Sequence, residues 1–289
     1  MKPASFDYVA LDSLEAVLAL KAQHGDEAKF LAGGQSLIPA MNFRLAQPAL
    51  LVDVNGLAAL NFIRRVDGEL RIGALTRQRQ LERDPLVKQH APLVAEAMPF
   101  VAHPQIRNRG TLGGSLAHAD PAAELPVMAA ALGAKLKAVS ARGERWIAAD
   151  DFFRSLFTTD LAADEMLTEI AFPNLPPRAG TAFIEFARRR GDYALMGVAA
   201  VVTLSGDGVC RDARLVYLNA GETPTVARKA AGLMRGQKPS SSAIEAAARE
   251  ADSEIEPMGN VHASPAYQRH LARVLTRRAL TTAFERAQA

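Results

Sequence analysis

Two pairs of adjacent glycines set the tightest limit on how this chain can fold. One lies in Ala32-Gly33-Gly34-Gln35-Ser36, the other in Thr111-Leu112-Gly113-Gly114-Ser115. Each abuts an apolar run and carries a nearby hydroxyl. Neighbouring glycines let backbone N–H groups turn toward one point and let a second group approach where a Cβ would stand. One pair alone reads first as a tight turn; two suggest two walls gripping one diphosphate. Neither is a P-loop, because no Gly-Lys-Ser/Thr ending follows, and neither carries the Gly-x-Gly-x-x-Gly of a Rossmann turn. A conventional ATP or NAD fold is disfavoured.

Composition narrows the partners. Of 289 residues, 49% are apolar and 22% charged, the balance of a globular domain set. The 34 Lys and Arg nearly cancel the 31 Asp and Glu, and a net charge of +3 gives no electrostatic footprint for nucleic acid. The single cysteine, Cys210, allows no internal disulfide and no Cys-ligated iron–sulfur cluster built by this chain alone. The six histidines lack metal-ligand spacing, so no metal site is expected. Residues 1–12 lack an apolar signal core, and no run reaches the ~18 apolar residues of a membrane span. A cytoplasmic, reduced protein is expected, with any membrane association made through a complex.

The chain divides by pattern. Asp12–Gly25 reads as a helix opened by an Asp12/Glu15 capping box; Lys29–Ala32 and Leu50–Val54 read as strands. Next come a strand over Glu69–Ala74, helices over Thr76–Arg83 and Leu86–Met98, and an alanine-rich helix over Glu124–Leu132. Strands follow over Ala134–Ser140 and Met166–Phe172. Residues 174–180, with Pro176-Pro177 and Gly180, form the best linker. Beyond it lie strands over Thr181–Arg188, Val198–Leu204 and Ala213–Asn219, then helices over Thr225–Leu233, Ser242–Glu254 and Ser264–Arg286. Strands followed by helices make an α+β layer. The units expected are 1–56, 57–177 and 178–289.

The second motif continues as Leu116-Ala117-His118-Ala119-Asp120-Pro121-Ala122-Ala123-Glu124-Leu125-Pro126. A carboxylate beside a phosphate would repel it, so Glu124 is better suited to accepting hydrogen bonds from sugar or polyol hydroxyls; the bland alternative is a first-turn helix charge. With Ala-Gly-Gly-Gln-Ser-Leu at 32–37, Arg71-Ile72-Gly73-Ala74 and Arg190-Gly191-Asp192-Tyr193-Ala194, this stretch resembles the medium, FAD-binding subunit of molybdenum hydroxylases. The nearest type is the carbon monoxide dehydrogenase medium subunit; the FAD module of xanthine dehydrogenase is more distant. The resemblance covers essentially the whole chain, and its long second motif is highly specific.

The resemblance implies an FAD-binding fold of the vanillyl-alcohol-oxidase (PCMH) type in two α+β subdomains, plus a C-terminal domain with a three-stranded antiparallel sheet and helices. Carried over, Ala32, Gly33, Gly34, Gln35 and Ser36, with Leu37, and Thr111, Gly113, Gly114 and Ser115 would hold the FAD diphosphate. Glu124 would meet the polyol chain and Tyr193 the isoalloxazine ring, with Ile106 and Leu167 as further ring contacts. Relatives often have His where Gln35 stands, and a lysine near the position of Ile184 and Glu185. With Gln35 and Ser36 in the first motif, and Cys210 on an apparent turn of the third domain, FAD is expected to be non-covalent.

The resemblance also implies partners. A large subunit would hold molybdopterin and a small one two [2Fe–2S] clusters, in a dimer of heterotrimers. This chain, with no catalytic residue of its own, would pass electrons through FAD to an external acceptor. The rivals are a self-contained flavin oxidase or reductase and a regulatory subunit without FAD. His103, before Pro104, reads as a loop residue, and His118 as a hydrogen-bonding one; Asp120 has no assigned role. Arg188–Arg190 is either a salt-bridged surface turn or a site keeping flavin and partner in register.

Overall fold

The computed structural model describes all 289 residues. Its first unit is a three-stranded parallel sheet built from β1 (Asp7–Ala10), β2 (Ala28–Leu31) and β3 (Leu50–Asp53), with β3 in the middle. Helix α1 (Leu14–His24) joins β1 to β2 and buries Val17 and Leu18 against Ala28, Val52 and Val54. The helix is capped by Ser13, whose hydroxyl accepts from Ala16 N–H, and not by the expected Asp12. The turn from the helix into β2 is held by Lys21, whose Nζ donates to Gly25 O and Ala28 O. β1 escapes sequence patterning because it is a largely exposed edge strand. A short helix α2 (Leu37–Asn42) follows β2.

The second unit is an antiparallel five-stranded sheet. Strands β4 (Ile63–Val66) and β5 (Glu69–Gly73) enter it first. Helices α3 (Gln78–Arg83), α4 (Pro85–His90), α5 (Pro92–Ala97), α6 (Pro104–Arg107), α7 (Leu112–His118) and α8 (Glu124–Ala131) come next. Strands β6 (Lys135–Ser140) and β7 (Gly143–Ala148), helix α9 (Ala149–Phe152), the short pair β8 (Phe153–Ser155) and β9 (Thr158–Thr159), and β10 (Met166–Phe172) complete it. The sheet order is β4-β5-β10-β6-β7. The single helix expected over 86–98 is two, because Pro92 lacks an N–H and is accommodated at the first position of a new helix. Every residue of α8 is buried, Glu124 included, so it is a core helix without a polar face.

The third unit holds β11 (Ala179–Phe186), β12 (Met196–Leu204), β13 (Cys210–Leu218) and β14 (Thr225–Val226) in that antiparallel order. The expected three strands gain a two-residue fourth because Thr225 and Val226 pair with Tyr217 and Val216. This delays the expected helix, α10 (Arg228–Gly232). Helix α11 (Ser241–Ser253) is capped by Ser240, not Ser242. Helix α12 (Pro265–Gln288), capped by Ser264 as expected, covers the sheet, and Tyr217 and Thr276 share a buried 2.5 Å hydroxyl bond beneath it. Cys210 is not on a turn: it opens β13, fully buried, and burial pushes its thiol up to about 11. The seam to the second unit is made by the Phe100 and Phe183 rings, edge-on at 5.5 Å, and by Asn219 N–H on Pro121 O at 2.7 Å.

Candidate functional site

The first glycine motif is the loop from β2 to α2. The amides of Gly33, Gly34, Gln35 and Ser36 donate to no atom of the protein, which leaves four successive N–H groups for an external acceptor. Gly33 is required by crowding: a Cβ there would stand 2.6 Å from Arg109 O and 2.8 Å from Gly110 Cα. Gly34 adopts φ +72°, which turns the loop. Sequence reading expects Gln35 to add a side-chain donor to the site; instead its Nε2 donates to Gly33 O at 3.0 Å and braces the loop. Ser36 makes no side-chain bond to the helix it precedes.

The second motif works differently from the sequence expectation. It is not a loop but the first turn of α7, with the Thr111 hydroxyl accepting from Gly114 N–H at 3.0 Å. The other amides are also spent: Leu112 N–H on Thr76 O, Gly113 N–H on Ala74 O, Ser115 N–H on Thr111 O. Thr111 is buried, Ser115 partly open and Gly114 exposed. This wall therefore contributes closeness, a missing Cβ and the Ser115 hydroxyl, not a second set of free amides. Gly113 is fixed by contact with Ala74, where any side chain would collide.

Between the two walls runs a groove of about 510 Å³ lined by Phe30, Ala32, Leu37, Gly113, Gly114 and Leu167 among others. Met166 also lines it, beside Leu167. Consecutive residues of a flat strand would face opposite sides; here β10 bulges at Thr168, which breaks that alternation. His118 lines the groove with its ring 5.1 Å from that of Phe157. Burial lowers the His118 imidazole's pKa, against a smaller opposing pull from Asp120, so the ring is neutral near pH 7.

A carboxylate cluster lies beyond the groove. Glu124, at the start of α8, is pushed up to about 7 by burial and then by the neighbouring Asp120 charge. Glu185 on β11 is pushed up to about 8 by burial and by Glu124, and its Oε2 is buried without a partner. Tyr193, on the loop between β11 and β12 with 69% of its surface exposed, has its phenol pushed up by partial desolvation first, then by the Asp120 and Glu124 charges. Both glutamates bind protons more tightly folded than unfolded, so their stabilising contribution is complete below about pH 4.3 and declines as pH rises toward 8. Glu185→Gln is expected to flatten that decline, measured as urea midpoints from pH 5 to 9; an unchanged pH slope would contradict the placement.

The structure thus brings Ala32, Leu37, Gly113, Gly114 and Leu167 to one groove, and Glu124 to Tyr193 through Asp120. Gly33, Gly34, Gln35, Ser36, Thr111 and Ser115 do not line that groove; Gly33 packs instead against Arg109 O and Gly110 Cα. Ile106, on α6 a turn before the second motif, lines neither the groove nor a carboxylate contact. Arg188 does not pair with a carboxylate; its Nη1 lies 2.7 Å from His262 Nε2. The residues that sequence missed are Phe30, Phe157 and Met166, plus a polar network behind the motifs. There Arg77, Asn55 and Asp53 interlock, with Asn55 Nδ2 on Asp53 Oδ1 at 2.7 Å. Only the Asn55-Gly56 turn hinted at it.

Known proteins match this arrangement along its length. Residues 4–175 match the model of the FAD binding domain in molybdopterin dehydrogenase, and 181–283 the CO dehydrogenase flavoprotein C-terminal domain. Subunit alpha of the 6-hydroxypseudooxynicotine dehydrogenase complex of Paenarthrobacter nicotinovorans is 46% identical over 288 residues, 100% of this chain and 97% of that one. The carbon monoxide dehydrogenase medium chain of Hydrogenophaga pseudoflava is 36% identical, covering 99% of each. Among solved structures, quinoline 2-oxidoreductase from Pseudomonas putida 86 superposes with a TM-score of 0.95 at 37% identity over the whole of both chains. No helix is long and apolar enough to cross a membrane. With both domain models matched in order and full-length relatives well above 30% identity, the chain belongs to the FAD-binding medium subunits of the molybdenum hydroxylase family.

Proposed function

We propose that this chain is the electron-transfer subunit of a molybdenum hydroxylase complex. It would take electrons from [2Fe–2S] clusters of a small subunit, downstream of molybdopterin in a large one, and deliver them to an external acceptor. The observation that carries the reading is the row of four unspent amides at Gly33–Ser36, packed at Gly33 against Arg109 and Gly110 just ahead of the Gly113-Gly114 turn, a diphosphate cradle with no P-loop lysine. Bound FAD supplies a centre that can exchange electrons singly or in pairs.

The chain's own residues divide the work. Gly33, Gly34, Gln35 and Ser36 present backbone donors to the diphosphate, while Ala32 and Leu37 flank it. Thr111 keeps α7 capped so that Gly113, Gly114 and Ser115 close the opposite side. Glu124, its pKa raised to about 7 by burial, accepts from polyol hydroxyls. Tyr193 offers an exposed ring for stacking on an isoalloxazine, with Ile106 and Leu167 as lesser apolar contacts. None of these is a covalent attachment point. Units 1–56, 57–177 and 178–289 serve as two halves of the flavin site and a cover. A dimer of heterotrimers in the cytoplasm is the expected assembly.

Relatives of this chain are named for complexes acting on carbon monoxide, caffeine and a nicotine derivative. Such chemically unlike substrates, served by one medium-subunit design, support the reading that substrate choice lies in the partner. Purification of the native complex is expected to yield molybdenum, iron and FAD together, with all flavin released on denaturation. Turnover by this chain alone, free of molybdenum and iron, would instead support a self-contained oxidase.

A further inference from the structure

We propose that Arg77 is a positioning residue that clamps the two glycine motifs at the spacing FAD requires, an inference that rests on the FAD reading above. Its backbone belongs to one wall and its side chain reaches the other. On the backbone side, Arg77 bridges Thr111, Gln78 N–H donates to Gly110 O at 2.9 Å and Leu112 N–H to Thr76 O at 3.0 Å. On the side-chain side, Nη2 donates to Asn55 Oδ1 at 2.6 Å, and the Asn55 Nδ2 so oriented donates to Ala32 O at 2.9 Å.

The remaining arm of the guanidinium closes the clamp. Nη1 donates to Arg109 O at 2.5 Å. This is the oxygen that a Cβ on Gly33 would strike. One planar group therefore holds the closest approach of the two walls from behind, while its Asn55 relay fixes the residue that enters the amide cradle. Asp53 completes the network: it accepts from Tyr8 at 2.6 Å and from Asn55 N–H at 2.8 Å. A lysine offers one ammonium without the planar fork and cannot serve Asn55 and Arg109 together in the same geometry. Gln80 holds the Arg77 backbone by accepting its N–H at 2.8 Å, so the side chain can be changed without unseating the helix start.

The test uses the full chain with FAD, the variants Arg77→Ala, Arg77→Lys and Asn55→Ala, and the double variant Arg77→Ala/Asn55→Ala. Flavin fluorescence titration is expected to show Kd raised roughly 10- to 100-fold in Arg77→Ala, little rescue in Arg77→Lys, and a double variant no worse than the poorer single. A second readout needs no flavin. Spin labels at Phe43→Cys and Asn108→Cys, with Cys210 buried, report the distance between the walls in the apo chain. Its distribution is expected to broaden in Arg77→Ala and stay narrow in wild type. FAD affinity within twofold of wild type, strictly additive singles, or an unchanged distance distribution overturns the clamp. A wild-type chain that binds no FAD while its labels respond to Arg77→Ala overturns the FAD reading and leaves the clamp standing as a structural device.

Discussion

Replacing Gly33 by alanine is expected to lower FAD affinity about 100-fold while leaving the fold in place. The added Cβ would meet two backbone atoms, Arg109 O and Gly110 Cα, and neither can rotate away. The walls must separate, and overpacking of this kind costs about 1–3 kcal/mol. A cost at the upper end corresponds to roughly 100-fold in Kd. Gly114→Ala is the informative contrast. Its nearest neighbour is the Thr111 hydroxyl, at 2.6 Å, which can yield at the expense of a helix cap. Calorimetric titration of both variants with FAD should rank Gly33→Ala as clearly worse. Equal losses would mean that the approach of Arg109 to Gly33 is not what sets the gap.

The second large effect is expected at Arg107, one of the few buried charges of the chain. Its guanidinium bonds Glu82 through Nε at 3.0 Å and Nη2 at 3.3 Å, and donates to Val101 O at 2.9 Å. This ties α6, and so the entry to the second motif, down onto α3. Arg107→Ala leaves Glu82 half-covered beside Arg79 alone and strips Val101 O of its donor; a loss of about 3–5 kcal/mol is expected. Arg107→Lys should recover only part, lacking the fork.

The pH dependence of that loss is fixed in sign. Burial pushes the Glu82 carboxyl upward, but hydrogen bonds from Arg107 and Arg79 outweigh it and hold its pKa below the ordinary value. A depressed carboxylate contributes stability above its unfolded pKa of about 4.3 and loses it as pH falls through the folded value. The stability gap between wild type and Arg107→Ala should therefore be full at pH 7 and shrink below about pH 4. Urea unfolding across that range checks it, and a gap independent of pH would contradict the pairing.

What the sequence revealed follows from where its information is local. The apolar runs of β10, β12 and β13 are buried on both faces or nearly so, and they read as strands without help. The glycine motifs and Glu124 were legible because their residue types are unusual in that order. The edge strands β4 and β7 were not, since partly exposed backbone pairing leaves little apolar alternation. The division of labour between the motifs was also hidden. Whether Gly113 N–H is free depends on Ala74 O, a partner that only the folded sheet supplies. The same holds for Glu185: its raised pKa comes from burial and then from Glu124, 61 residues earlier in the chain, and no spacing announces it.

The most direct test of the central claim is titration of the purified 289-residue chain with FAD, followed by absorbance and by denaturation. Flavin bands in the near-ultraviolet and blue, saturating at one FAD per chain and wholly released into the supernatant on unfolding, are the predicted result. A chain that binds no flavin, or keeps it after denaturation, would contradict the account.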